Sequence, residues 1–317
     1  MLHPVIDAVF AWVDGSDPAH IAKRLRYIKD AERPDTLNIA AIPTRFQDSG
    51  ELWYSVRLAR KHAPWLRKIH IVTDDQKPAW LTEEISRDLN INLVGHKDIF
   101  GGYEEYLPTF NSRAIEAMIS RIPGLAEHFI YFNDDFFIIK PVKPDEFFIG
   151  SIPFARGRWV WNNRYLVAFE RRIRKLFGDP RWLYGFVGER QEGRELGYIR
   201  FFRSAHAPYA IKLSDFSECF RDGSFLSSII KYRFRNQQQI WPIGYYLNKA
   251  LKTGKAKVHP PDWEHLYPKD VNEELSGFLE EIDNTARINH LCIQSLDEFP
   301  GSYKKLCFEF LSNLLQT

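Results

Sequence analysis

The stretch YFNDDFFIIKP, Tyr131 to Pro141, sets two adjacent carboxylates, Asp134 and Asp135, between apolar runs that read as a buried strand. Charged side chains are rarely buried unless they are paired, hydrogen-bonded or bound to a metal. One reading is a turn or helix start capped by Asn133 and Asp134. The other is a cation site at the end of a strand. Two more strand-like runs end in acids: VIDAVFAWVD at Asp14, and KIHIVTDD at Asp74 and Asp75. In open α/β sheets ligands bind outside the carboxyl ends of the strands. That favours the ligand reading for the Asp134–Asp135 pair, while for Asp14 and Asp74 the turn and ligand readings stand level.

Helical spacing surrounds these runs. IAKRLRYIKDAE, SGELWYSVRLARKHAPWL with Ser49 as its cap, and TFNSRAIEAMISRIPGL, ended by Pro123 and Gly124, read as helices. INLVGH is a further strand, and HFIYFNDDFFII reads as one continuous fourth strand. Strands alternating with helices predict an α/β domain with a mostly parallel sheet flanked by helices over residues 1–150. Residues 151–203 mix Trp, Arg, Gly and Asn with weak periodicity and read as a helical or irregular insertion or lid. Its cluster Arg171, Arg172, Arg174 and Lys175 is either a solvated helix face or a lure for phosphate and anionic headgroups. Residues 204–317 complete the active site and add C-terminal helices. The last of them, SYKKLCFEFLSNLLQT, is amphipathic and either packs on the body or lies on a membrane surface.

Of the 317 residues 44% are hydrophobic and 15% aromatic, enough to build a sizeable core. Lys plus Arg (43) nearly balances Asp plus Glu (41), so the formal charge of +2 offers no footprint for a nucleic-acid partner. Cys219, Cys292 and Cys307 are few, odd in number and not in metal-like spacing, which predicts reduced thiols in the cytoplasm. MLHPVIDAVFAWVDG has no basic n-region and meets acids early, which predicts no signal peptide.

VFAWVDGSDP (9–18), the run from RFQDSGELWYSV to QKPAWL (45–81) and the run from LPTFNSRAIEAM to FNDDFFI (107–138) form an ordered set. They resemble the first two conserved regions of the Stealth family, which contains bacterial capsular-polysaccharide hexose-1-phosphate transferases and the catalytic subunit of animal N-acetylglucosamine-1-phosphotransferase. HAPYAI (206–211) with YRFRNQQQ (232–239) looks like the third region, and HLCIQSLDEFP with FEFL like the fourth. The resemblance implies a glycosyltransferase-A-like, Rossmann-like core. It also implies transfer of a sugar with its phosphate, which makes a phosphodiester and releases the nucleoside monophosphate.

The same resemblance assigns roles. Asp134 and Asp135 bind Mg²⁺ or Mn²⁺, and Asp135, His206 and Arg235 are catalytic, with His206 suited to take the acceptor's proton. Arg233, two residues from Arg235, competes for the phosphate-binding role. Asp14 and Gly15 lie under the nucleotide, where Gly15 lets the backbone approach closely. Trp12 either lines the base pocket or belongs to the core. Arg45, Asp48 and Arg57 grip phosphate or sugar, or form with Glu51 a buried ion network. Asn111 and Ser112 open a helix whose N–H groups face a ligand, or merely cap it. Two departures stand out: Asp75, where the family commonly has Gly, and Gln294-Ser295 in place of an Asn-Asp pair.

The expected reaction uses a nucleotide-sugar donor, UDP-hexose or UDP-N-acetylhexosamine, and a hydroxyl of a capsular or cell-wall glycan. A lipid-linked acceptor would hold the enzyme peripherally at the inner face of the cytoplasmic membrane. Two alternatives remain open: a metal-dependent glycosyltransferase of the same fold that releases UDP, and a non-catalytic glycan- or nucleotide-binding module.

Overall fold

The computed structural model describes residues 4–31, 46, 48–161, 199–236 and 239–316, with positions 169, 172–173, 176–177, 192–193 and 195–197 between them. Thirteen strands are found among the described residues. They are β1 (Ile6–Ala11), β2 (Ile69–Thr73), β3 (Ile91–Gly95), β4 (His128–Asn133), β5 (Phe136–Ile138), β6 (Phe148–Ile149), β7 (Ile152–Ala155), β8 (Gly157–Trp161), β9 (Arg200–Ser204), β10 (Tyr209–Lys212), β11 (Lys257–Val258), β12 (Trp263–Leu266) and β13 (His290–Ile293). The helices that follow β1 are α1 (Pro18–Arg26), α2 (Ile28–Ala31) and α3 (Glu51–His62). Next come α4 (Glu83–Asp88), α5 (His96–Ile99) and α6 (Ser112–Met118). The second half adds α7 (Leu213–Cys219), α8 (Gly223–Ile230), α9 (Pro242–Lys252), α10 (Leu275–Asn284) and α11 (Gly301–Gln316).

The central sheet has the order β3-β2-β1-β4-β10, parallel except for β10. Its inner strands are almost wholly buried, as their unbroken apolar runs require when helices cover both faces. Leu52 and Val56 of α3, Met118 of α6 and Leu247 of α9 share one core with them. This is the α/β architecture expected from the sequence.

Four local readings change. HFIYFNDDFFII is not one strand: β4 ends at Asn133 in the central sheet, and β5 starts at Phe136 in a separate sheet of order β12-β13-β5. A strand buried in two sheets shows the same apolar run as a single long one, so periodicity could not see the break. Ser49 does not cap α3; Gly50, at φ +103°, is the cap residue, and the Ser49 hydroxyl instead accepts from Lys304 Nζ at 2.8 Å. IAKRLRYIKDAE divides at Tyr27 into α1 and α2, with Asp17 capping Ala19 N and Pro18 at the first turn of α1. In the 151–203 segment, β8 pairs antiparallel with β9, so its described ends are arms of one ribbon. Arg171, Arg174 and Lys175 lie outside the described residues.

The final helix packs on α3. Tyr54 Oη lies 2.9 Å from Ser312 Oγ, Tyr54 stacks on Phe308, and Lys61 Nζ donates to Leu314 O at 2.8 Å. Leu311 and Leu314 complete a second core with Leu58, Phe137 and Leu291. No helix among the described residues is long and apolar enough to cross a membrane.

Two buried carboxylates hold the body together. Asp7, at the start of β1, accepts from Arg67 Nε at 2.8 Å, from Arg67 Nη2 and from Ala126 N at 2.9 Å. Burial works to raise its pKa, but hydrogen bonds from Arg67, His70 and Ala126 win and bring it down to about 2. The folded carboxyl is therefore the stronger acid. Its stabilisation is complete above the unfolded value near 4 and is lost as pH falls through about 2. Because Arg67 is half exposed and can rehydrate, Asp7→Ala should cost about 2–3 kcal/mol in urea unfolding at neutral pH, and less at acid pH.

The second is Asp262. Its carboxylate takes the fork of Arg156 through Nε at 2.8 and 3.0 Å and Nη2 at 2.8 Å, and His290 Nε2 lies 3.4 Å away. Arg156 is only 2% exposed and also donates to Glu146 O at 3.0 Å, so it ties the β12–β13 sheet to the chain around β6 and β7. Asp262→Ala leaves a buried, unpaired guanidinium. The expected loss is about 3–5 kcal/mol, measured by denaturant unfolding.

Candidate active site

Strand pairing explains how distant residues converge. Tyr209 of β10 pairs antiparallel with Tyr131 of β4, so His206, three residues before Tyr209, lies past the carboxyl end of β4 on the side of the Asp pair. Cys292 of β13 is the register partner of Phe136 in β5, and His265 of β12 is the partner of Cys292. Ile293 N donates to Asp135 O at 3.1 Å, and Cys292 Sγ lies 3.6 Å from Asp135 Oδ2. The helix α3 docks on β5 through a Ser55 Oγ–Phe136 O hydrogen bond and carries Glu51 to the same place. Asp134 and Asp135 therefore occupy the turn where the chain leaves one sheet for another.

Four carboxylates lie close enough there to feel one another's charge: Asp48, Glu51, Asp134 and Asp135. Trp12 Nε1 donates to Asp48 Oδ2 at 2.9 Å and Gly50 N to Oδ1 at 2.8 Å, which fixes Asp48. Trp12 is thus a core residue that orients an acid. Among the described residues, no cationic side chain forms an ion pair with Glu51, Asp134 or Asp135. Burial raises the pKa of Asp134, with Asp135 and then Asp48 adding to it, to about 8. Burial raises Asp135 to about 7 with a contribution from Glu51, and raises Glu51 to about 8 with contributions from Asp134 and Asp48. Asp135 Oδ1 is buried without a hydrogen-bond partner. Oxygen-only, uncompensated donors of this kind suit a hard dication such as Mg²⁺ or Mn²⁺.

The other strand-end acids are spoken for. Asp74 pairs with Lys23 at 2.8 Å, and Asp75 with Lys97 at 3.0 Å. Asp75 sits at φ +55°, a left-handed position that glycine adopts without cost, which explains the expected Gly there. The Asp14 carboxylate accepts from Ser16 N and Oγ at 2.8 and 2.5 Å, closing a turn, while Gln76 clamps its backbone. Gly15 packs against Phe46 so closely that a Cβ would overlap its carbonyl; the close approach is to the chain itself.

His206 stands at the site's edge with its ring centroid 4.3 Å from that of His265, which stacks in turn on Tyr267 at 3.7 Å. Its surface remains solvent-reachable, yet desolvation by the surrounding protein, followed by the charges of Arg203 and Arg235, pushes its pKa down to about 4. The ring is a neutral base at physiological pH. Arg235 donates to Ser112 Oγ, and its charge is felt by Glu116 and Tyr131. Arg233 instead stacks on Tyr27 at 4.6 Å and donates to Glu105 O at 3.2 Å. The structure therefore separates the two arginines: Arg235 faces the site and Arg233 pins a loop.

Asn111 caps α6 by accepting from Arg113 N at 3.2 Å and ties the helix to Tyr232 O and Gln239. Ser112 holds Arg235. Arg57 lies over Trp53, 4.6 Å from the ring, away from any carboxylate partner among the described residues. Arg45 lies outside the described residues. Sequence reasoning gave no role to Glu116, Tyr131, His265 or Cys292. Only the pairing of β12, β13 and β5 brings the last two in; Cys292 lies in the HLCIQSLDEFP stretch, but nothing in that stretch says what it faces.

Residues 4–30 match Stealth protein CR1, conserved region 1, and residues 45–153 match Stealth protein CR2, conserved region 2. The exopolysaccharide phosphotransferase cps2G of Lactiplantibacillus plantarum is 32% identical over 98% of this chain and 94% of its own length. The chain belongs to the Stealth family. The capsular polysaccharide phosphotransferase cps1A of Actinobacillus pleuropneumoniae is 49% identical over 143 residues, 45% of this chain; the match spans 38% of that relative's length. Among solved structures, the galactosyltransferase LgtC with donor and acceptor sugar analogues is 12% identical, with a TM-score of 0.48 over 98% of this chain and 95% of that one.

Proposed function

We propose that this chain transfers a sugar-1-phosphate from a nucleotide diphosphate sugar to a hydroxyl of a growing capsular or cell-wall glycan. UDP-hexose and UDP-N-acetylhexosamine are the first donors to test. The acceptor oxygen forms a bond to the sugar-bearing phosphorus, and the bond from that phosphorus to the bridging oxygen breaks. The nucleoside monophosphate leaves with the bonding pair. His206 takes the acceptor's proton, and Arg235, aligned by Ser112, binds phosphate oxygens with a fork suited to them. The arriving diphosphate charge would raise the His206 pKa toward neutrality, where a general base works best. Asp134 and Asp135, with Asp48 and Glu51 behind them, would hold Mg²⁺ or Mn²⁺, which when bound supplies neutralisation of the diphosphate charge.

The observation that carries this reading is the group of carboxylates at the β4–β5 turn, without a cationic partner among the described residues, beside a neutral imidazole and a half-buried arginine. Membership of a family whose curated relatives are named phosphotransferases supports it. The test is incubation with a panel of UDP-sugars, Mg²⁺ or Mn²⁺ and a glycan primer. UMP release with a phosphodiester resonance in the phosphorus NMR spectrum is expected. UDP release would mean glycosyl transfer instead, and no product with any donor would turn the reading toward a binding module. Association with an anionic membrane through a lipid-linked acceptor is part of the proposal and is read separately, by vesicle flotation.

A further inference from the structure

We propose that His206, His265 and Cys292 form a binding site for a soft divalent cation of the zinc class, and that its occupancy switches the transfer off by engaging His206. One ligand atom of each residue lies within 4.8 Å of the others. Two of the three are set by strand pairing, because His265 and Cys292 face each other across β12 and β13. The third, His206, is an exposed side chain on the short turn before β10, between the buried Ala205 and Ala207, so rotation of its side chain supplies the adjustment. Zinc bonds to nitrogen and sulfur imply ligand separations of about 3.3–3.6 Å in a tetrahedral site, so closure asks for a shift of about 1 Å.

The polar accounting favours a ligand here. His265 Nε2 is buried with only the Gln294 side chain as a weak partner, and the Cys292 thiol, wholly buried, has a long 3.6 Å contact to Asp135 Oδ2. Two imidazoles and a thiol that loses its proton on binding are a soft set, whereas the neighbouring carboxylates are oxygen-only. The two pockets therefore select different ions. With three protein ligands the fourth position is left to water, as in open zinc sites. Asp135, beside the thiol, adds negative potential that attracts a dication. Metal binding itself is independent of the proposed activity. The switch rests on the role given to His206.

Cobalt(II) alone, titrated into the chelator-treated full chain, provides the test. One equivalent should saturate a thiolate-to-cobalt charge-transfer band in the near ultraviolet. Zn²⁺ should abolish the band, and Mg²⁺ in large excess should not. C292S should lose the band, H265A should weaken cobalt binding by about 100-fold or more, and the double variant C219S/C307S should keep it. A wild-type protein without the band, or a band that survives C292S, overturns the site. In the UMP-release assay Zn²⁺ should inhibit the wild type, and H265A should need about 100-fold more Zn²⁺ for the same inhibition. An intact band with unchanged activity overturns the switch alone. Absence of transfer with every donor overturns the proposed function and leaves the cobalt result standing.

Discussion

Asp135→Asn is expected to lower sugar-phosphate transfer by about 1,000-fold or more while leaving the metal-free protein at least as stable as the wild type. The two effects part company because the acids are clustered with no cationic partner among the described residues. Burial and mutual repulsion raise the pKa values of Asp134, Asp135 and Glu51 to between about 7 and about 8. Between the unfolded carboxylate range near pH 4 and those values, the folded chain binds more protons than the unfolded one. Stability of the metal-free protein therefore falls as pH rises through that window, the reverse of the behaviour of Asp7. Asparagine removes one charge, so the decline with pH should flatten in the variant. Mg²⁺ at 100 times its dissociation constant should restore about 2.7 kcal/mol to the wild type, most visibly at the alkaline end, and little to the variant. Thermal unfolding with chelator or Mg²⁺, paired with the UMP assay, reads all of this. A variant that loses activity and stability together would mean that Asp135 is a structural acid, and the cation reading would fall with it.

The sequence made the central strands legible because burial on both faces leaves long apolar runs, and it made the acids legible because they interrupt those runs. It did not show that β4 and β5 part company at Asp134. That break depends on which strands pair, information that is spread over residues 128 to 293. The same limit hid His265, in WEHLY, and the role of Cys292, which lies in the quoted HLCIQSLDEFP stretch but with no sign there of what it faces. Acids at the ends of β1 and β2 stood level between turn and ligand, while the Asp134–Asp135 pair already favoured a ligand. Their partners set them apart: Ser16, two residues on, closes the Asp14 turn, and Lys23 and Lys97 neutralise Asp74 and Asp75. Gln294-Ser295, a departure from the expected Asn-Asp pair, has a backbone counterpart, since Ser295 adopts φ +53° just after β13. Charge patterns in a sequence name the candidates, and pairing decides which of them remain uncompensated.

The arginine question has an equally sharp expected answer. Arg235→Ala should reduce kcat by about 1,000-fold or more, since a guanidinium that stabilises charge during phosphoryl transfer is worth at least that. Arg233→Ala should leave kcat nearly unchanged and instead loosen the loop held against Tyr27 and Glu105. Two residues separate them, with Phe234 between them buried against Phe110. Arg235 is half-buried beside Ser112, with desolvation and then Arg113 lowering its pKa to about 10, so it remains charged at neutral pH. Arg235→Lys keeps the charge and loses the planar fork, so it should recover only part of the rate. Steady-state kinetics of the three variants with one donor settle the assignment. Equal losses of kcat in Arg233→Ala and Arg235→Ala would mean that the loop acts as a unit, and the phosphate-binding role given to Arg235 alone would have to be withdrawn.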